Sequence, residues 1–398
     1  MSQGIGIRAI IPHNRSVEIP FSRSERSTLG IEWELALVDP VTGVLVPAGH
    51  RVLEEVEAEH PELSARLSKE LLLNTVEVST GVHHRVDEAV AELRDIVQLV
   101  RSTAQTHRTR LLSSGTHPFA SSRREPFTQS ERYSRLIDRT QWWGRSMLIY
   151  GIHVHVGVPS AQAVFPIIQG VLRYLPQLLA VSASSPYWEG EDTGYASQRT
   201  MLFQQLPTAG LPYGFQTWTE FESFLHDQEA VGALESPTEN RWDVRPAPHF
   251  GTVELRICDA VPTVREVAAI AALSQSLVDA LYQRHLDGTL PEPLSPWQLR
   301  ENKWRAARFG ADAEVITSRD NAVTPLLTSL DRLVDELAAT AERLGCLNEL
   351  YDASNIAHSG ASAARQRAFV GTDPTPERLS ALVQKLSDEL EASLDDSR

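Results

Sequence analysis

The chain has 398 residues, 42% of them hydrophobic and 22% charged, so it can bury a large core and is not a disordered or fibrous sequence. Its 37 lysines and arginines face 52 aspartates and glutamates, and the net charge of -15 excludes a general attraction to nucleic-acid phosphates. The chain lacks a run of about 18 to 20 apolar residues and a signal-peptide pattern at its start. We therefore predict a cytoplasmic protein that binds neither nucleic acid nor membrane.

The domain organisation is predicted from the composition of the connections between the predicted helices and strands. No linker rich in glycine, serine or proline and no repeat period is present, which favours one large domain. We predict a flexible N-terminal segment over 1–27, a single catalytic domain over 28–385 and an acidic C-terminal tail over 386–398. Cys258 and Cys346 are too few for a disulfide framework and are predicted to be buried thiols.

Two hydrophobic periods alternate along the chain and predict an α+β fold. The period-two segments, predicted as strands, are 28–39, 75–80, 151–158 and 251–259. The segments with helical spacing are 86–112, 164–183, 264–286 and 323–344. Pro40 and Gly43 predict a hairpin turn after the first strand, and Pro166 and Pro176 predict a kink or break in the second helix.

The first strand carries two carboxylates on one face. Glu32 and Glu34 are two residues apart and so project to the same side, whereas Ile31, Trp33 and Leu35 project to the other. Two neighbouring carboxylates repel each other, and this raises one pKa. The pair therefore indicates either a cation site or an exposed acidic strand face.

Two later strands repeat this division between a polar and an apolar face. His153 and His155 share one face of the strand 151–158, and Glu254 and Arg256 share one face of the strand 251–259. A single strand histidine is more often structural, and an H-x-H pair alone is a weak metal signal. The coincidence of three such strands favours a metal site.

Glu77 in the strand 75–80 is a fourth candidate ligand, and Glu70 precedes it by seven residues. Seven residues place two side chains on opposite faces of a straight strand, so a turn or bend near Asn74 is needed for both to serve one site. Several carboxylates with one or two imidazoles and no thiolate pair suit Mg²⁺ or Mn²⁺ better than structural zinc.

Magnesium held by carboxylates usually accompanies a polyphosphate substrate, whose charge is also balanced by basic side chains. No G-x-x-x-x-G-K-[ST] loop is present, so a P-loop enzyme is excluded. The basic candidates occur in four short motifs of the chain. They are Arg199, Arg241, Arg245, Arg256, Lys303, Arg305 and Arg308.

Seven motifs in order resemble the type 2 glutamate–cysteine ligase family of carboxylate–amine ligases, from about residue 28 to 310. They are GIEWEL, ELLLNTVEV, GIHVHVG, DTGYASQR, WDVRP, GTVELRICD and ENKWRAARFG. The resemblance implies a glutamine-synthetase-like cup, in which a curved, mainly antiparallel sheet has helices packed behind it. It also implies ATP-dependent amide formation through an acyl phosphate, with Mg²⁺ or Mn²⁺ and with amino acid and amine substrates, and a possible homodimer.

The resemblance also implies roles for individual residues. Arg256 matches a catalytic residue that contacts the transferring phosphate. The predicted metal ligands are Glu32, Glu34, Glu70, Glu77, His153 and Glu254. The predicted substrate-binding residues are Arg199, Trp242, Arg245 and His155, although His155 has no settled role in the comparison. The predicted ATP-binding residues, Lys303, Arg305 and Arg308, come instead from residue type, because they are basic and lie at near-helical spacing.

Two other functions compete with the ligase. A metal-dependent hydrolase also uses an H-x-H pair on a strand, although barrel hydrolases place it early in an alternating β/α chain. A catalytically silent binding protein on the same scaffold is the third possibility. Release of ADP that requires both an acid and an amine distinguishes the ligase from the other two.

Overall fold

The structure is a computed structural model and describes residues 18–234, 236 and 239–396. The helices within these residues are α1 Gly49–Glu59, α2 Val86–Thr106, α3 Glu131–Thr140, α4 Trp142–Arg145, α5 Ala161–Leu172, α6 Leu175–Ser182, α7 Gln198–Phe203, α8 Trp218–Ala230, α9 Val264–Leu286, α10 Pro296–Phe309, α11 Leu326–Leu344, α12 Leu347–His358, α13 Ala361–Val370 and α14 Pro376–Asp395. The strands are β1 Leu29–Val38, β2 Leu67–Lys69, β3 Thr75–Ser79, β4 Arg110–Leu112, β5 Gly151–Gly157, β6 Tyr187–Trp188, β7 Glu191–Asp192, β8 Ala209–Gly210, β9 Arg241–Trp242, β10 Val244–Ala247, β11 Thr252–Asp259, β12 Glu314–Ile316 and β13 Val323–Pro325.

A seven-stranded antiparallel sheet forms the centre of the fold. Its order is β10-β11-β5-β1-β3-β2, and β4 pairs with the end of β1 on the same edge as β5. The four strands predicted from period-two patterns are β1, β3, β5 and β11, which lie side by side as β11-β5-β1-β3. The sheet and its helices confirm the predicted α+β class.

The apolar face of the sheet is buried against helices. Ile31, Trp33 and Leu35 each expose at most 1% of their surface. The Trp33 indole Nε1–H donates to Ser113 Oγ at 2.9 Å, so its one polar atom is also satisfied. Helices α2, α5, α6 and α9 contact the strands from this side. The other face of these strands is left for polar side chains.

The predicted second helix is broken, as its prolines indicated. It is divided into α5 and α6, which meet at a 62° bend, and Pro176 lies in the first turn of α6. Pro166, in contrast, lies inside α5 without ending it. No single helix in the described part of the chain is long and apolar enough to span a membrane, and only α5 and α6 taken together meet that test.

Three predicted boundaries are corrected by the structure. The first predicted helix ends at Thr106, and Arg108, at a positive φ of 55°, turns the chain into β4. The last helix runs to Asp395 with Leu386, Leu390 and Leu394 buried, so residues 386–395 are packed helix rather than an acidic tail. Residues 1–17 of the predicted flexible segment lie outside the described residues. Near the end of that segment, Arg26 Nε donates to Asp279 at 2.8 Å, so this part of it is attached to α9.

Candidate active site

The register of the sheet brings the polar side chains of five strands together. Glu32 of β1 pairs with His153 of β5, and Glu34 pairs with Glu77 of β3. On the other side of β5, His155 pairs with Glu254, which in turn pairs with Arg245 of β10. Cross-strand neighbours have Cβ atoms about 5 Å apart, so these side chains form one continuous polar surface.

Except for His155 and Glu254, these side chains line the floor of a cavity of about 440 Å³, here called the cup. The turn predicted near Asn74 is present, and it brings Glu70 to the same cavity as Glu77. The floor is mostly charged, and the rim combines basic and apolar side chains. The lining residues are Glu32, Glu34, Ser68, Lys69, Glu70, Leu71, Leu72, Thr75, Glu77, Arg132, Tyr133, Leu136, Met147, Ile149, His153, Arg199, Phe203, Leu206, Arg241, Arg245 and Arg256.

At one end of the cup, here called the paired end, each carboxylate has charged or imidazole partners. Glu32 lies 2.8 Å from His153 Nδ1 and 3.2 Å from His155 Nε2. Glu254 is 1% exposed and accepts from both Arg245 Nε, at 2.5 Å, and Arg256 Nη1. Burial opposes ionisation of both carboxyls, but these partners outweigh it and hold the pKa of Glu32 and of Glu254 well below the usual range.

The pKa values of the two histidines at the paired end are shifted in opposite directions. Burial, reinforced by the Arg256 guanidinium, lowers the pKa of His153 to about 4, so this imidazole is neutral at pH 7. Burial also opposes protonation of His155, but Glu254 and Glu32 outweigh it and raise its pKa. The His155 ring is held in place by Thr252 Oγ1, 2.9 Å from Nδ1.

At the other end, here called the unpaired end, three carboxylates crowd together. Burial and the nearby Glu70 raise the pKa of Glu34 to about 7. Burial also raises the pKa of Glu70, and burial with Glu70 and Glu32 raises the pKa of Glu77. Within the described residues they accept few hydrogen bonds: Gly151 N–H donates to Glu34 at 2.5 Å, and Leu71 N–H and the Tyr133 hydroxyl donate to Glu70 at 3.2 and 3.4 Å.

The polar surface contains three sets of three residues that could each hold a metal ion. Within each set, the ligand atoms lie within 4.8 Å of one another. The sets are Glu34, Glu70 and Glu77; Glu32, Glu77 and His153; and Glu32, His155 and Glu254. All are oxygens or imidazole nitrogens, the donors that hard divalent cations accept. A cation at the unpaired end would also relieve the repulsion that raises the carboxyl pKa values there. The residues therefore fit Mg²⁺ or Mn²⁺.

A β-bulge directs Arg256 into the cup. Leu255 pairs with Val154 and Cys258 with Ile152, so Arg256 and Ile257 together lie opposite the single residue His153. A bulge of this kind bends a strand and redirects a side chain, and such bulges are common beside active sites.

Comparison with known proteins identifies the family. The model of the family described as Glutamate-cysteine ligase family 2 (GCS2) matches residues 28–380. The chain belongs to this family. It is 46% identical over 376 residues to a candidate glutamate–cysteine ligase 2 of Leifsonia xyli subsp. xyli, over 94% of this chain and 99% of that protein. It is 50% identical over 351 residues to one of Mycobacterium ulcerans, over 88% of each chain.

The fold is shared with more distant solved structures. The glutamate–cysteine ligase of Francisella tularensis, solved in complex with AMP, is similar with a TM-score of 0.68 at 14% identity, over 94% of this chain and 90% of that one. A bifunctional glutathione synthetase of Pasteurella multocida gives 0.66 at 14% identity, over 93% of this chain and 53% of that one. At these identities the similarity concerns the fold alone.

Membership of the glutamate–cysteine ligase family 2 determines the class of reaction. The chain is an ATP-dependent ligase that joins a carboxylate to an amine. The comparisons give no support to the metal-dependent hydrolase considered from the H-x-H pair.

Five residues predicted for this ligase's substrates do not line the cup, and His155 of the paired end is one of them. Trp242 and Lys303 line a second cavity of about 790 Å³, where Trp242 packs against Phe215, Phe221 and Phe224. Lys303 Nζ donates to Asp243 at 2.6 Å. The structure therefore does not bring these two residues to the predicted ligands.

Arg305 and Arg308, two further residues predicted to bind ATP, lie farther along α10. Arg305 donates to Glu301 at 2.8 Å, and Arg308 donates to the Gly194 carbonyl. Neither side chain lines the cup or the second cavity. Their predicted contact with ATP has no support from the geometry.

Arg132 and Tyr133 are among the cup residues that were absent from the predicted site. Arg132 and Tyr133 lie in the first turn of α3 and face the floor from the rim, with the Tyr133 hydroxyl 3.4 Å from Glu70 Oε2. The only sequence signal for α3 is Ser130, which caps its N-terminus, followed by apolar residues at helical spacing. Arg241, predicted only as a basic candidate, also lines the cup.

Proposed function

We propose that the enzyme forms a γ-glutamyl amide bond in the cup, with ATP and Mg²⁺ or Mn²⁺, through an acyl phosphate of glutamate. The observation that carries this proposal is the juxtaposition of three repelling carboxylates, Glu34, Glu70 and Glu77, with the inward-directed Arg256 on one polar surface. A site of this composition binds cations and polyphosphate better than it binds neutral ligands.

The metal would be held by the carboxylates of the three sets described above and by His153, with Glu32 and Glu77 each belonging to two of the sets. When bound, it would neutralise the charge of the ATP phosphates and of the phosphoryl group in transfer. Bound cations would also lower the pKa values of Glu34, Glu70 and Glu77, so that these carboxylates are ionised at neutral pH.

In the first step, the glutamate side-chain carboxylate attacks the γ-phosphorus of ATP, and ADP leaves. Arg256 stabilises this step, because its guanidinium can donate two hydrogen bonds to phosphate oxygens as their charge develops. Its hydrogen bond to Glu254 fixes the orientation of the guanidinium beforehand. Arg245, on the other side of Glu254, supports the same carboxylate.

In the second step, the amine attacks the acyl carbon, and inorganic phosphate leaves with one of the former carboxylate oxygens. Arg132 and Arg241 of the rim supply positive charge for the carboxylates of the amino acid substrates. Burial lowers the pKa of Arg241 to about 10, so it remains charged at neutral pH. The apolar rim, with Leu136, Met147 and Ile149, favours the exclusion of water from the acyl phosphate.

The proposal is tested with ¹⁸O-labelled glutamate, L-cysteine and MgATP, followed by mass spectrometry of the products. We expect the label to appear in inorganic phosphate, with ADP as co-product. Formation of AMP, or product without ATP consumption, would contradict the acyl phosphate. A screen of ADP release over other acids and amines identifies the preferred amine if cysteine is inactive. The predicted homodimer and cytoplasmic location stay predictions.

A further inference from the structure

We infer that Arg199 is a positioning residue, which holds the β-bulge of β11 and thereby fixes Arg256, rather than a residue that binds substrate. The inference rests on the proposed function of Arg256 in phosphoryl transfer. It replaces the substrate-binding role predicted for Arg199 from the sequence.

The bulge leaves backbone carbonyls that need other partners. Because two residues of β11 lie opposite one residue of β5, the carbonyls of Arg256 and Ile257 fall outside the regular ladder. Arg199 supplies the donors: its Nη1 and Nη2 each lie 3.2 Å from the Arg256 carbonyl oxygen, and Nη1 lies 3.3 Å from that of Ile257. One guanidinium thus holds both carbonyls of the bulge.

The Arg199 side chain is part of the wall of the cup. It is 3% exposed, and both terminal nitrogens are already engaged by the carbonyls of the bulge. Its backbone is anchored as well, since Arg199 N–H donates to Ser185 Oγ at 3.0 Å, and Ser185 Oγ donates to the buried Asp259 at 2.6 Å. Asp259 is the last residue of β11, so the anchor returns to the strand that Arg199 holds.

Gly151 provides the space for this guanidinium. A Cβ atom added at Gly151 would lie 2.2 Å from Arg199 Nη2 and 2.7 Å from Cζ, so a side chain there would displace the guanidinium. The amide of the same residue donates to Glu34. Arg199 therefore contacts the backbone of Arg256 on one side and packs on Gly151 on the other, and Gly151 binds Glu34 of the unpaired end.

Two variants perturb the contact in different ways. Arg199→Lys keeps the charge but cannot donate to both carbonyls, and Gly151→Ala keeps the guanidinium but displaces it. With L-glutamate, L-cysteine and MgATP, we expect kcat for ADP release to fall at least about tenfold in each, and KM for glutamate and ATP to change less than about threefold. Direct substrate binding by Arg199 would instead raise KM for glutamate in Arg199→Lys.

Arg110→Lys is the matched control. Arg110 of β4 also donates to several acceptors, Glu391, Gln384 and Asp388, but these lie on α14, outside the cup. We expect this variant to lower the unfolding temperature as Arg199→Lys does and to leave kcat unchanged. A loss of kcat that simply follows the loss of stability in all three variants would overturn the positioning role.

The decisive measurement is a double-mutant cycle with Arg256→Lys. If Arg199 acts through Arg256, the double variant Arg199→Lys, Arg256→Lys is no slower than Arg256→Lys alone, within about twofold. Additive losses would overturn the inference and leave the proposed function intact. Absence of ADP release by the wild-type enzyme with any acid and amine would instead contradict the proposed function, and the inference with it. Failure of both Arg199→Lys and Gly151→Ala to fold would assign Arg199 a purely structural role.

Discussion

The two ends of the cup accommodate buried negative charge in opposite ways. At the paired end, Glu32 and Glu254 are held by two histidines and two arginines, and their pKa values are lowered. At the unpaired end, Glu34, Glu70 and Glu77 have mainly one another as neighbours, and their pKa values are raised. The ends lie on the same sheet face, and Glu32 of the paired end lines the same cavity as the three carboxylates of the unpaired end.

The difference indicates which part of the site is complete in the protein alone. The paired end keeps its charge and geometry through protein contacts, so its residues contribute to stability as well as to catalysis. The unpaired end is unfavourable until protons or a cation neutralise it, so its residues contribute to cation binding at the expense of stability. Substitutions at the two ends should therefore affect stability with opposite signs.

The largest effect is expected at the paired end. Glu254→Gln removes the carboxylate between Arg245 and Arg256, so two buried guanidinium groups lose the counter-charge that they share. We expect loss of ligase activity and a loss of about 3 to 5 kcal/mol in the free energy of unfolding. Denaturant unfolding in EDTA measures the second quantity. A variant as stable as the wild type would contradict the view that this end is held together by its charges.

The same substitution at the unpaired end should have the opposite effect on stability. Glu77→Gln also abolishes ADP release, but it removes one of the repelling carboxylates whose pKa is raised by burial and by Glu70. The metal-free variant should be more stable than the wild type at pH 8, by on the order of 1 kcal/mol. Its unfolding is compared with that of Glu254→Gln under the same conditions, and equal destabilisation of both variants would contradict the comparison.

A smaller effect is expected in the pH dependence of stability. The folded-state pKa of Glu34 is raised to about 7, so its contribution to stability is complete below its unfolded pKa and is lost as the pH rises through about 7. The difference in unfolding free energy between wild type and Glu34→Gln should therefore change by about 1 kcal/mol between pH 6 and 8, to the disadvantage of the wild type.

The difference between the two proteins is measured because buried histidines also make stability depend on pH near 6.5, where their imidazoles titrate in the unfolded chain. Burial lowers the pKa of His117 and of His153 to about 4, and both histidines are present in both proteins. The experiment is performed in EDTA and repeated with excess MgCl₂, which should flatten the pH dependence. A flat difference in EDTA would show that the unpaired end carries no electrostatic cost.

The sequence predicts the polar face of each strand but not how the faces meet. The alternation in β1 places Glu32 and Glu34 together and Trp33 in the core, as the structure shows. The pairing of Glu34 with Glu77 depends on register, which is a non-local property fixed by packing of the other face. The difference between the two ends could therefore not be predicted from the separate strands.

Two other features also required the structure. The bulge at Arg256 has no local signature, because the segment 251–259 has a regular period-two pattern on both sides of it. The basic motif on α10 was predicted to bind ATP because its residue types suit phosphate, but Arg305 and Arg308 have partners outside the cup. Residue type alone cannot predict which side of a helix faces a site when the neighbouring elements are unknown.

The smallest effect distinguishes the two histidines within the paired end. His153 contacts Glu32 through Nδ1 and lines the cup, and in the described part of the chain no residue bonds its Nε2, which leaves one nitrogen for a cation. Both ring nitrogens of His155 are engaged, by Thr252 and by Glu32. We therefore expect His153→Asn to weaken Mn²⁺ binding about tenfold and His155→Asn by less than about threefold, since loss of a ligand is more costly than loss of its support. Titration followed by Mn²⁺ electron paramagnetic resonance measures both. Equal losses would make both histidines ligands, and no loss in either would make the pair structural.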